Sequence, residues 1–223
     1  MTKLKHKTAF VLALFFMYSF VLIAQVQVSK EAHHKKVLEN KYVRLLDVWI
    51  DPGDTTLFHI HSTPSLFLHF TNTDVGSQIM GQQWVKNRNE MGRASYRYFT
   101  NDTLVHRVSN IDTSLFHVTD IELLSAYEPG IPVQPLPYTV LFDNEKAIAY
   151  KLTQSSFDKK IISNRRPMIA ELVQGQEVIY YDVLKKKSTS ILTGKYLYIE
   201  PMSSFYFSAK ENENIQMVLF EIK

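Results

Sequence analysis

The chain contains no cysteine in 223 residues. That excludes disulfides, thiolate zinc sites, cysteine nucleophiles and lipoprotein-type lipidation. Glycine is scarce, with seven in all. None of them builds a phosphate-cradling loop or a G-x-S-x-G nucleophile elbow. Beyond the first two dozen residues, no window of helical length carries a 3.6-residue apolar period. An excess of one charge is also missing. The 25 Lys and Arg include Lys3, Lys5 and Lys7, and setting residues 1–24 aside leaves 22 bases and 22 acids. No nucleic-acid surface is expected of such a balance.

What is present starts with a basic n-region and an uncharged, largely apolar run from Thr8 to Ala24, followed by Gln25. This pattern predicts a secretory signal peptide over 1–24, cleaved after Ala24, and hence a secreted or periplasmic protein. The alternative is an uncleaved N-terminal anchor, since about 17–25 apolar residues span a bilayer. The polar stretch Gln25 to Lys36, with His33 and His34, reads as a linker or frayed helix.

From Val43 the period changes to two. Val43, Leu45, Asp47 and Trp49 alternate with Arg44, Leu46, Val48 and Ile50. Strands are predicted over 56–61, 65–71, 77–86, 94–99, 104–109 and 114–124, each bounded by turn residues. Prolines 129, 132, 135 and 137 then predict an extended linker over 126–138. Strands resume over 147–152, 168–173, 177–183, 195–199, 204–208 and 215–222, and Lys185 to Lys187 form a solvated turn. Val108–Leu123 and Phe207–Ile222 align without a gap, with Ser109 on Ser208 and Glu122 on Glu221. This suggests a duplicated β unit, 25–125 and 139–223. Many short strands at close spacing predict an all-β, antiparallel architecture of sandwich or barrel type.

The chemistry-bearing stretch is Asp51 to Phe70. Residues i and i+2 of a strand share a face, so His59 and His61 project together, close enough for one ion to take both. The spacing Gly53-x5-His59-x-His61 resembles the first half of the first cupin motif. His106-x3-Asn110 resembles the end of the second. The resemblance covers roughly Leu38 to Leu124, and with the duplication it is that of a bicupin: two antiparallel jelly-roll barrels joined by the Pro-rich linker. It implies that His59, His61 and His106 hold a divalent transition metal (Fe, Mn, Ni, Cu or Zn). Pro64 and Ser65 stand where that motif carries a glutamate, and Asn101 and Thr103 stand where the second carries proline and glycine.

His117 offers a fourth imidazole. An even-length hairpin turn over Asn110 to Thr113 would oppose His106 with His117, their Cβ atoms about 4.5–5.5 Å apart. His69 lies about 13 Å along its strand from Ser65 and is left out of the set. The second half has no histidine, and Phe205 occupies the place matching His106. Asp47, Asp51, Asp54, Gln83, Tyr96 and Tyr98 lie on nearby turns and strands and receive no role.

Two functional classes remain open. One is a metal-dependent enzyme, of dioxygenase type on the resemblance, with a small molecule in the barrel. The other is a non-catalytic module, binding a small molecule or a partner, whose interior histidines bond to one another, to tyrosines or to water. A homodimer fits either, and a membrane role depends on an uncleaved leader.

Overall fold

A computed structural model describes residues 25–99, 103–128, 134–210 and 214–223. The predicted leader, with its cleavage point, lies outside the described residues, as do Pro129 and Pro132 of the proline-rich stretch. Among the described residues no helix is long and apolar enough to cross a membrane.

The described residues form four sheets. The first has the order β1 (Val26–Gln27), β4 (His59–His61), β9 (Leu104–Asn110), β6 (Thr73–Ile79), β7 (Val85–Asn89). The second runs β2 (His34–Glu39), β3 (Val43–Ile50), β10 (Phe116–Leu123), β5 (Ser65–His69), β8 (Ala94–Arg97). The third runs β11 (Thr139–Asp143), β12 (Ala147–Thr153), β18 (Gln216–Ile222), β13 (Met168–Gln174), β16 (Tyr196–Ile199). The fourth runs β15 (Lys187–Leu192), β14 (Glu177–Asp182), β17 (Phe205–Ala209). The third sheet repeats the order of the second strand for strand. Glu122 and Glu221, aligned in the sequence, are both buried, and each meets an arginine, Arg44 and Arg165 respectively.

Three apolar clusters bind these layers. Leu46, Val48, Ile50, Val75, Phe116 and Val118 fill part of the space between the first and second sheets. Ile148, Leu152, Met168, Val178, Phe205 and Leu219 belong to the cluster between the third and fourth. Leu45, Leu66, Leu68 and Ile121 pack against Ala149, Ile169, Val218 and Phe220, joining second sheet to third. Full burial of one such side chain contributes about 1.5–3 kcal/mol. The second and third sheets are therefore covered on both faces. Every residue of β10 is buried, and β10 accordingly lacks the in–out alternation of a solvated sheet.

Several strand boundaries differ from expectation. The predicted strand 77–86 is a hairpin of β6 and β7, because Gly81 takes φ +79 and Gln82 N–H donates to the Ile79 carbonyl. Thr73 and Asp74, predicted to end a strand, begin β6. The supposed linker before Val43 contains β2, an edge strand whose Lys35, Lys36 and Glu39 stay in water and hide the period. The predicted hairpin between β9 and β10 does not form. The two strands lie in different sheets, and Asn110 makes the crossing by donating its side-chain amide to the carbonyls of Ile50 and Ser114.

The joint between the halves also contains polar groups. Glu171 on β13 is fully buried and accepts a hydrogen bond from the Thr119 hydroxyl at 3.1 Å. Burial pushes its carboxyl up to about 8, the Thr119 bond pulls it down, and the charge of Asp47 pushes it further up. An acid raised on folding keeps its proton in the folded chain while the unfolded chain loses it. Stability therefore falls as pH rises from about 4.5 through about 8. Glu171→Gln should flatten that fall and raise the melting temperature at pH 8.5 more than at pH 5, as read by calorimetry across pH.

Candidate metal centre

β4 is only three residues long, and the pleat alone decides its chemistry. His59 and His61 turn to one side and are buried, while Ile60 turns to the other. β4 pairs antiparallel with β9 so that His59 lies directly opposite His106. Ligand nitrogens of His59, His61 and His106 all come within 4.8 Å of one another. His61 Nε2 and His106 Nε2 are 3.1 Å apart. Two nitrogens each about 2.1 Å from one ion, at angles between octahedral and tetrahedral, would be separated by about 3.0–3.4 Å. The spacing and the donor set thus fit a first-row divalent metal.

One outer nitrogen is held as a ligand's should be. His59 Nδ1 lies 2.9 Å from the Leu57 carbonyl, to which the protonated nitrogen donates, leaving Nε2 with its lone pair. His61 Nδ1 lies 3.4 Å from the Asp120 carboxylate. Burial, with smaller contributions from neighbouring imidazoles, lowers His59 to about 4 and His106 to about 3, and lowers His61 as well. All three rings are neutral at ordinary pH and available as nitrogen donors.

Asp120 stands in for none of the three histidines but backs one of them. It is fully buried, and neither oxygen completes a hydrogen bond of good geometry. Burial and the charge of Glu122 push it up to about 8, against a smaller pull from Ser65. Its position was legible as an acid in phase with Phe116 and Val118 on a predicted strand. Pro64 and Ser65 bring no carboxylate to the site, and the Ser65 hydroxyl donates to the Thr63 carbonyl.

Sequence reasoning also missed His34 and Glu31. His34 is buried at the start of β2, its ring centroid 4.7 Å from that of His59. Its Nδ1 lies 2.7 Å from Glu31, which also meets His33 at 3.1 Å. Burial raises Glu31, but the hydrogen bonds from His34 and His33 outweigh it and hold the carboxyl at about 2. Nothing in the polar stretch 25–36 signals this, because the strand that positions His34 is formed by pairing with β3.

The histidines stand in a cleft of about 240 Å³ between the first two sheets, with apolar walls that include Val48, Ile50, Phe67, Val75, Phe99 and Phe116. His69 also lines it, and burial lowers that ring to about 4. His117 does not. It lies on the opposite face of β10, stacked on Trp49 at 3.5 Å and on Phe70 at 4.4 Å, with Nε2 2.7 Å from Asp47. Its expected place beside His106 required the β9–β10 hairpin, and the change of sheet removes it. The remaining polar residues singled out in the sequence also lie apart: Asp51 and Asp54 are exposed in a turn, and Tyr96 bonds Glu145. In the second half Phe205 fills the corresponding interior, 5.3 Å from Tyr180.

No family model matches the chain, and no curated protein matches it. Similarity appears among solved structures. A cupin 2 conserved barrel domain protein from Leptotrichia buccalis is 13% identical over 87% of this chain and 90% of its own, with a TM-score of 0.54. Salicylate 1,2-dioxygenase from Pseudaminobacter salicylatoxidans is 10% identical over 96% of this chain and 81% of its own, TM-score 0.57. Oxalate decarboxylase from Lactobacillus farciminis is 8% identical over 82% and 77%, TM-score 0.53. At such identities the likeness is one of fold.

The two histidine environments separate experimentally. His117→Ala should destabilise the fold by about 1.5–3 kcal/mol, the range for a hydrogen bond to a charged group. It should leave metal uptake at the wild-type level, measured by denaturant titration alongside elemental analysis. Lost uptake would place His117 in the centre.

Proposed function

We propose that this chain, built on the cupin fold, binds one divalent transition metal through His59, His61 and His106 and works on a small molecule held in the adjoining cleft. The observation that carries the reading is the convergence of three neutral imidazole nitrogens, two of them buried and the third half-buried, within 4.8 Å, with no other donor set of that kind among the described residues. Metal identity stays at the level of Fe, Mn, Ni, Cu or Zn, since three imidazoles suit several of these ions. When bound, the ion would supply Lewis acidity and open coordination positions.

The chain's own residues supply the rest. The Leu57 carbonyl fixes the ring of His59, and Asp120 stands 3.4 Å behind His61. Phe67, Phe99, Phe116 and Val118 keep bulk water from the inner end of the cleft. His34, bound at Nδ1 by Glu31, stands beside His59 with ring centroids 4.7 Å apart. Fold relatives named for dioxygenation and decarboxylation of small acids support an enzyme, and we favour a dioxygenase-type reaction. In this reading 25–125 and 139–223 are the two cupin units of a bicupin joined by 126–138, and 1–24 is a cleaved signal that sends the protein to the periplasm or outside the cell. The second unit, filled by its own aromatics, serves as a packing partner.

A second reading draws on the same 3.1 Å contact. His61 and His106 could share a proton as a hydrogen bond in a non-catalytic binding module. Elemental analysis of untagged protein comprising 25–223 decides between them. The metal reading expects close to one ion per chain, retained through dialysis, with His106→Ala lowering affinity at least about tenfold and leaving the strand content by circular dichroism unchanged. Protein that stays metal-free after incubation with each ion would sink it.

A further inference from the structure

The cleft opens where the first and second sheets end, between edge strands β7 and β8. Alternation along these strands sorts their side chains. On β7, Asn87 and Asn89 face the cleft, whereas Lys86 and Arg88 face away and pair with Asp74, with Asp112 also meeting Arg88. At β8, Arg93, Ser95 and Arg97 line the cleft, while Tyr96 turns to the second half and bonds Glu145. The turn between them is specific. Arg93 N–H donates to the Glu90 carbonyl, and Gly92 takes φ +80 against the Gln216 side chain of β18.

Arg93 and Arg97 differ from Arg88, the other arginine between Val85 and Arg97. Among the described residues neither forms an ion pair, although the outward-facing Arg88 has two acid partners. Among the described residues the one carboxylate lining the cleft, Asp120, lies at its inner end behind His61. Among the described residues the mouth thus carries two guanidinium groups without an acid partner, set among neutral hydrogen-bonding groups, and the walls beyond are apolar. Arg97 is close enough to act electrostatically on His61, His69 and His106, whereas Arg93 reaches only His69 among these. A volume near 240 Å³ holds a single ring or a short chain, given that about 150 Å³ holds benzene.

We infer that the cleft takes a small organic acid whose carboxylate is bound by Arg97, with Arg93 raising the local anion concentration at the mouth and the apolar body pointing toward the histidines. A planar guanidinium matches a carboxylate with two parallel hydrogen bonds, and a cleft of one charge sign speeds capture of the opposite one. The inference rests on reading this cleft as the ligand site, and does not need the metal.

The test is calorimetric titration of protein comprising 25–223, both metal-free and zinc-loaded, with acetate, propionate, benzoate and phenylacetate, each beside its neutral amide, and with inorganic phosphate. At least one carboxylate should bind ten-fold or more tighter than its amide in the metal-free protein, with an affinity that falls as salt rises. Arg97→Gln should remove that preference while melting remains unchanged, Arg97→Lys should restore part of it, and Arg93→Gln should weaken binding by a smaller factor. Equal binding of acid and amide, or no carboxylate bound at 10 mM, overturns the inference. A preference that survives Arg97→Gln and appears only with zinc would assign the carboxylate to the metal and also overturn it. Phosphate binding as tightly as the best carboxylate would replace the organic acid by a phosphoryl ligand. Failure to load Fe, Mn, Ni, Cu or Zn in turn, with the carboxylate preference intact, would refute the metal reading alone.

Discussion

β10 is out of water on both faces, and the layout of the molecule follows from that. Its even-numbered residues Phe116, Val118 and Asp120 close one wall of the cleft. Its odd-numbered residues face the second half, with Ile121 in the apolar joint, Thr119 bonded to Glu171 and His117 bonded to Asp47. A strand in that position is kept dry only if sheets cover both sides. The second half is therefore needed for the first half's site even though no ligand nitrogen comes from it. Gln216 of β18 against Gly92 makes the same link at the mouth.

The histidine centre is a product of pleat and register together. The pleat brings His59 and His61 to one face, and the antiparallel register puts His106 across from His59. Burial then keeps the rings neutral, because an imidazolium in a poorly solvated cleft beside two other imidazoles is strongly disfavoured. Asp120 is an expensive neighbour in such a place. A buried carboxyl without complete hydrogen bonding costs stability, and its position against His61 Nδ1 is what the chain obtains in return.

The halves share the strand order of one sheet but not contents. Where the first leaves a cleft among histidines, the second inserts Phe205, Phe207 and Tyr180 into one apolar cluster. The substitution of Phe205 at the place of His106 was visible in the alignment of the two stretches. That it produces a filled interior is a matter of packing, since an aromatic ring occupies the volume that an imidazole and its ligand would share.

Alternation from Val43 onward and recurring turns were enough to identify an all-β chain. The i, i+2 spacing of His59 and His61 was enough to put two candidate ligands on one face. Each of these signals is local, carried by neighbours i and i+2 or by a turn residue such as Gly53. Other features were beyond that range. His34 sits on an edge strand whose charged residues conceal its period. His117 was misplaced because Asn110 turns the chain into another sheet, a choice made by hydrogen bonds to Ile50 and Ser114. The two arginines at the mouth look in sequence like any others, and only the gap between β7 and β8 makes them part of a site. By itself the sequence determined the fold class and which residues could serve as nitrogen donors, because side-chain type and period are written along the chain. The tertiary structure alone decided which donors meet, which carboxylate stands behind them and which charges face the ligand, because those depend on pairings between strands tens of residues apart.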